Sequence, residues 1–262
     1  EEFPGIELAV PQGGLTIQVE VMKPLIERTI FSIPTSSESD TKYSLGGALL
    51  VAREEKPRHT VIEMVTTDSR RLSLARYRVE GKMDMGEGII VPRKGLQELK
   101  RLMDGREEGG RVVLTKDSLF YLSGETVATV RLFDGKFPDF RSVVAEEAYP
   151  IVTRISAPEL LSVLKVCVAM MSELASCVKL SFTRDRTIVY ASNPEQGEVD
   201  TAIASTHTGE EVEISFNPKY FVDCLTFIDS EAQILLKGPQ GPCMVRDSDH
   251  DESTWVIMPM RF

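Results

Sequence analysis

The sequence is poor in the side chains that most enzyme chemistry needs. It holds three histidines, His59, His207 and His250, each in a polar, turn-like neighbourhood, and four cysteines, Cys167, Cys177, Cys224 and Cys243, without a CxxC pair or a Cys/His cluster. That excludes the zinc patterns built from paired ligands and leaves buried, reduced thiols that suit a reducing compartment. GxSxG, HExxH, P-loop and GxGxxG stretches do not occur where their chemistry needs them. The acidic run DSDHDES at 247 to 253 lacks the glycine and closing glutamate of a calcium loop and reads as a solvated hairpin. No metal and no cofactor is expected. Also missing is any run of about 18 uncharged apolar residues that could cross a membrane. The opening EEFPGIELAVPQGG is too acidic for a secretory signal, so the chain is expected in the cytoplasm. Positive charge is short as well: 30 Lys and Arg stand against 40 Asp and Glu, a net charge of -10. Net charge alone therefore repels a polyanion.

What the chain has is ordinary globular stuffing, 42% apolar and 27% charged over 262 residues, enough for one large domain or two of about 130 residues. It also repeats itself. IQVEVMKPLIERTIF at 17 aligns with VTRISAPELLSVLKV at 152, an offset of 135, and VPRKGLQELKRL at 91 aligns with FNPKYFVDCLTF at 216, an offset of 125. Thr66-Thr67-Asp68 falls over Ala191-Ser192-Asn193 at the same 125. Ser156 with Glu159 forms a capping box, Asn217-Pro218 supplies an N-cap and an N1 proline, and Pro92 opens the matching helix of the first copy. Short alternating strands lie between, so each copy reads as two helices on an antiparallel sheet of about eight strands. The fold class is α+β, in two tandem similar domains.

Each copy closes alike, with Phe137-Pro138 in DGKFPDF and Met258-Pro259 in VIMPMRF. Phe3-Pro4 in EEFPGIEL precedes Phe137-Pro138 by 134 residues, which makes residues 1–12 the expected remnant of a preceding repeat, followed by domains at 13–143 and 144–262. Three stretches invite a functional reading. In TTDSRRLSL, Asp68 either caps a hairpin with Arg70 and Arg71 solvated, or Arg71 beside Leu72 rims an apolar groove and bonds a carboxylate or peptide carbonyl. In PRKGLQELKRL, Arg93, Lys94, Lys100 and Arg101 form either a solvated face or a local positive surface that touches phosphates, with Lys219 at the corresponding helix start. In TWVIMPMRF, a last core strand accounts for Val256 or Ile257 but leaves Met258, Met260 and Phe262 suited to accepting apolar peptides.

TTDSRRL, IIVPRKGL, LFDGKFPDFRSV, ASNPEQGE and VIMPMRF together resemble the bacterial DNA polymerase III sliding clamps, the beta subunit family, over essentially the whole chain. The resemblance implies a non-enzymatic processivity factor. Family members have three similar domains and close as head-to-tail homodimers into a ring around duplex DNA, so this chain represents the middle and C-terminal domains. Without the first domain the ring contact is missing and a monomer is expected. Encirclement resolves the charge conflict: topology holds the DNA, and weak, sequence-independent contacts from Arg93, Lys94 and Lys219 suffice. The resemblance further implies an apolar site for short motifs of the polymerase, clamp loader and repair proteins. Its matching positions are Leu45, Thr67, Arg71, Leu72, Pro138, Val143, Val256, Ile257, Met258, Pro259, Met260, Arg261 and Phe262. Ser69, Arg70, Ser142 and Phe262 depart from the commoner family residues. The alternatives are a clamp-like adaptor that binds proteins without enclosing DNA, and an enzyme using Asp68 and Arg71.

Overall fold

The computed structural model describes residues 13–35, 45–104, 109–145, 149–172 and 176–260. The expected repeat remnant at 1–12, Arg261 and Phe262 lie outside the described residues. Contacts divide the chain into two compact units: the first runs to Thr66 and resumes over Ala75–Pro138, while the second takes Thr67–Leu74 and everything from Asp139 onward.

In the first unit lie β1 (Leu15–Gln18), α1 (Val19–Glu27), a 3-10 turn (Ile30–Ser32), β2 (Gly47–Lys56), β3 (His59–Thr67, except its last residue), β4 (Arg71–Glu80, from Ala75 onward), β5 (Ile89–Pro92), α2 (Arg93–Asp104), β6 (Arg111–Leu114), β7 (Ser118–Ser123) and β8 (Thr126–Arg131), the tip from Thr67 to Leu74 counting with the second unit. The second contains β9 (Ile151–Ser156), α3 (Ala157–Ala169), β10 (Val178–Phe182), β11 (Arg186–Asn193), β12 (Gly197–Thr208), β13 (Val212–Phe216), α4 (Pro218–Leu225), β14 (Glu231–Leu236), β15 (Cys243–Asp247) and β16 (Ser253–Ile257). Two helices and eight strands per copy are what the repeat predicts, and all resolved pairings within each unit are antiparallel. The first unit orders its strands as β1-β6-β7-β8 and β4-β3-β2-β5; the second runs β13-β10-β11-β12-β9-β14-β15-β16.

Local chemistry starts and seats the helices. Ser156 Oγ accepts from the Glu159 amide at 3.4 Å, and Asn217 Oδ1 accepts from the Lys219 amide at 3.0 Å, each satisfying a donor that the first turn leaves open. Along α2, Leu96, Leu99 and Met103 recur at helical spacing and are buried, while Lys94, Glu98 and Arg101 stay outside. Gly95 lets this helix lie against β8, since a Cβ there would stand 2.3 Å from Val130 Cγ1.

Equivalent turns close equivalent hairpins. Asp68 Oδ1 accepts from the amides of Arg70 and Arg71, both at 3.0 Å, and Asn193 Oδ1 accepts from Glu195 at 2.9 Å. At the same places Thr66 donates to the Thr29 carbonyl beyond α1, and Asn193 Nδ2 donates to the Met170 carbonyl beyond α3. Each unit also has one bridge to the strand before its second helix: the Phe133 amide, four residues before Phe137-Pro138, donates to Ile90 of β5 at 2.9 Å, and the Met260 amide, just after Met258-Pro259, donates to Ser215 of β13 at 2.7 Å. Of the histidines, His207 departs from its expected turn, sitting on β12 with Nδ1 2.8 Å from the Thr153 hydroxyl.

Candidate functional site

The polar tip between β3 and β4 is built by side chains bonding their own backbone, which Thr and Asp do well in turns. Thr67 Oγ1 donates to the Arg71 carbonyl at 2.7 Å and accepts from the Ser69 amide at 3.1 Å. Ser69 adopts φ 71°, a left-handed conformation that a side chain disfavours. Asp68 thus caps the hairpin, but Arg71 does not stand out into solvent. Its guanidinium bonds Asp68 at 3.0 Å and Asp223 of α4 at 2.5 Å and lies 4.4 Å from the Tyr220 ring centroid. Being only 11% exposed, it holds the turn against α4. The expectation of a guanidinium at the rim ready for a peptide is corrected accordingly, and Asp68 and Arg71, the pair an enzyme here would use, are occupied with each other.

The chain end meets this tip. The Met258 amide donates to the Arg70 carbonyl at 2.8 Å, and the Met260 amide to Ser215. Pinned at both points, Met258-Pro259-Met260 forms one side of a groove of about 740 Å³, completed by Lys179, Glu213, Ile214, Ser215, Pro239 and Gln240. Met258 is 43% exposed, an apolar side chain left at the surface with its backbone fixed. Val256 and Ile257, expected at the site, are instead fully buried: β16 is covered on both faces, so they support the tail from below. Leu72 is also buried, and Thr67 and Val143 are half-buried. Val143 is fixed by the Tyr149 hydroxyl, which donates to its carbonyl at 2.8 Å; burial pushes that hydroxyl's pKa up to about 12. Leu45, buried, and Pro138, half-buried, belong to the first unit.

The basic candidates separate. Lys94 and Lys219 are exposed near the starts of α2 and α4. Arg93 is not an outward charge: its guanidinium donates to the carbonyls of Ile33 and Ile30 around the 3-10 turn. Among the described residues no group of three or more His, Cys, Asp or Glu could hold a metal ion. Nor, among the described residues, is any helix long and apolar enough to cross a membrane. The thiols of Cys167, Cys224 and Cys243 are buried, and burial pushes all three upward, which suits packing rather than nucleophilic attack. Sequence reading missed Tyr220, Asp223, Lys179, Glu213, Pro239 and Gln240. The only hint was that Tyr220 and Asp223 stand three apart on α4, a polar pair in an apolar helix.

Among the described residues, two copies of one two-helix, eight-strand layer, with Met258 exposed after the last strand, define a clamp-type scaffold. The family model of the DNA polymerase III beta subunit, central domain, matches residues 16–139, and that of the C-terminal domain matches residues 144–261. The beta sliding clamp of Pseudomonas putida is 31% identical over 265 residues, covering 99% of this chain and 69% of the relative. That of Escherichia coli strain K12 is 30% identical over 262 residues with the same coverage. Among solved structures, the DNA polymerase III subunit beta from Pseudomonas aeruginosa has a TM-score of 0.85 at 27% identity, covering 99% of this chain and 69% of that one. The sliding clamp from Bartonella birtlesii bound to griselimycin has a TM-score of 0.84 at 25% identity, covering 100% and 69%. The chain belongs to the DNA polymerase III beta subunit family. Its function is that of a DNA sliding clamp, a non-catalytic processivity subunit.

Proposed function

We propose that the groove beside Met258 binds short linear motifs of DNA polymerases, the clamp loader and repair proteins, while the protein encircles duplex DNA in the cytoplasm. The domains are taken as 13–143 and 144–262. The observation that carries the peptide reading is Met258 itself, a large apolar side chain left exposed while its backbone is fixed to Arg70. Met side chains adapt to different apolar partners, and backbone fixation lowers the ordering needed when a ligand arrives. Direct contacts fall to Met258, Pro259 and Met260, with Arg261 and Phe262 as the adjoining end. Val256, Ile257 and Leu72 support them, Thr67 and Arg71 shape the neighbouring turn, and Leu45, Pro138 and Val143 remain family-matched contacts. Burying two or three apolar anchors at about 1.5 to 3 kcal/mol each supplies about 3 to 9 kcal/mol before ordering costs, and hydrogen bonds to the peptide backbone add to this to reach micromolar binding, about -8 kcal/mol. DNA contact is assigned to Lys94 and Lys219, exposed cations on a chain of net charge -10.

The test is fluorescence polarisation with a labelled QLxLF-type peptide. Micromolar binding by the natural chain and a loss of about tenfold or more in Met258→Ala/Met260→Ala is expected, since removing two anchors forfeits at least about 1.4 kcal/mol. Equal affinity in the two proteins refutes the assignment.

A further inference from the structure

Strand β13 is the first of its run and so an edge strand. Its register against β10 places Ser215 opposite Lys179, Ile214 opposite Leu180 and Glu213 opposite Ser181. Along an antiparallel strand each residue turns its N–H and C=O to one side, and the side alternates. The Ser215 carbonyl accepts from Met260, which fixes Ser215 as facing away from β10. Glu213, two residues earlier, therefore turns its own N–H and C=O to the same outer side, and Ile214 turns inward to Leu180. Among the described residues no strand pairs with Glu213 on that side. The groove runs along this edge, lined by Glu213, Ile214 and Ser215 together with Met258 and Met260.

We propose that the β13 edge accepts an extended peptide as an added strand, with main-chain hydrogen bonds at Glu213 and a basic peptide residue opposite it. This rests on the peptide-binding reading and adds to it where the ligand's backbone sits. Strand addition is an established way to hold a linear segment, the backbone supplying affinity and alternate side chains specificity. The edge shows its capacity already, since Met260 pairs with it at 2.7 Å. Charge sets the chemistry of the occupant. Glu213 is 58% exposed and held by Lys179 at 3.2 Å and Ser181 at 3.1 Å. The Lys179 ammonium also lies 5.4 Å from the Tyr190 ring centroid, a contact it keeps when an incoming cation takes Glu213. Opposite charges directly across a strand pair stabilise the pairing, and like charges weaken it.

Two probes share a QLxLF core and carry Ser-Lys-Ser or Ser-Glu-Ser on both flanks. Amide hydrogen exchange of the whole chain is followed with and without each. Slower exchange at Glu213 on binding is expected, by about tenfold for one added hydrogen bond, with the lysine probe binding more tightly. Glu213→Pro removes an outward N–H, which an edge strand tolerates, together with the carboxylate, so the variant should keep its unfolding midpoint and bind about fivefold or more weakly than Glu213→Ala, which lacks the carboxylate alone. Glu213→Ala should lose the preference for lysine while the amide at position 213 still slows on binding. A bound probe with unchanged Glu213 exchange overturns the added strand while leaving peptide binding intact; an amide already protected in the chain alone also overturns it. Absence of any probe binding overturns both readings. Should Glu213→Pro fail to fold, the exchange result on the natural chain decides.

Discussion

Glu63 shows what a single residue contributes when its surroundings are made for it. It is 1% exposed on β3, between Arg53 at 3.2 Å and Arg76 at 3.1 Å. Burial by itself would raise its pKa, but the hydrogen bonds and charges of the two arginines outweigh burial and hold the carboxyl below its ordinary range. A depressed folded-state pKa stabilises the protein fully above the unfolded value and loses that contribution as pH falls through the folded one. Urea unfolding should therefore weaken on acidification below the ordinary carboxyl range, and Glu63→Gln should flatten that part of the pH dependence. At neutral pH the substitution should lower stability by about 3 kcal/mol, the low end for breaking a buried pair because Arg53 keeps contact with water. The pattern of β3, TVIEMVTT, gave no warning of this. A carboxylate inside an apolar strand announces burial only when its partners, on β2 and β4, are known to be neighbours.

At the scale of elements, α2 and β8 depend on a missing side chain. With the Gly95 Cβ position 2.3 Å from Val130 Cγ1, Gly95→Ala must push helix and strand apart, and overpacking of this kind should lower stability by about 1 to 3 kcal/mol in thermal or urea unfolding. An alanine in a solvated helix position would do the opposite, since it is the better helix former. Much at this scale was legible in the sequence. The capping residues Ser156 and Asn217, the Asx turns at Asp68 and Asn193 and the apolar stripe of α2 are local effects, set by neighbours a few positions away. Recurrent Phe-Pro and Met-Pro led to an expectation of where the repeats end, whereas the first copy's bridge to β5 forms at Phe133, four residues before Phe137-Pro138. That each closing segment pairs with an edge strand, β5 or β13, was not legible, because strand partners are chosen across more than 40 residues.

For the whole molecule, charge and topology have to agree. A net charge of -10 disfavours adhesion to DNA, and of the three cations expected to touch phosphate Arg93 is turned to backbone carbonyls. Binding to linear duplex should be weak and steeply salt-dependent. Lys94→Ala and Lys219→Ala should each reduce the slope of log affinity against log salt by about 0.9 if each meets one phosphate, read by polarisation on labelled duplex from low to moderate salt. Arg93→Ala should leave the slope unchanged and lower the unfolding midpoint instead.

The sequence by itself determined the α+β class, the doubling into two similar units, the starts of α3 and α4 and the family resemblance. All of these rest on periodicity, caps and motifs carried by contiguous residues. Only the tertiary structure decided what the side chains are for. Arg71 and Asp223 are 152 positions apart and meet at 2.5 Å; Val256 and Ile257 sink into the sheet while Met258, the next residue, stays at the surface. Neighbours in the chain part, and distant residues join, because burial and ion pairing are settled by packing in space, where separation along the chain no longer counts.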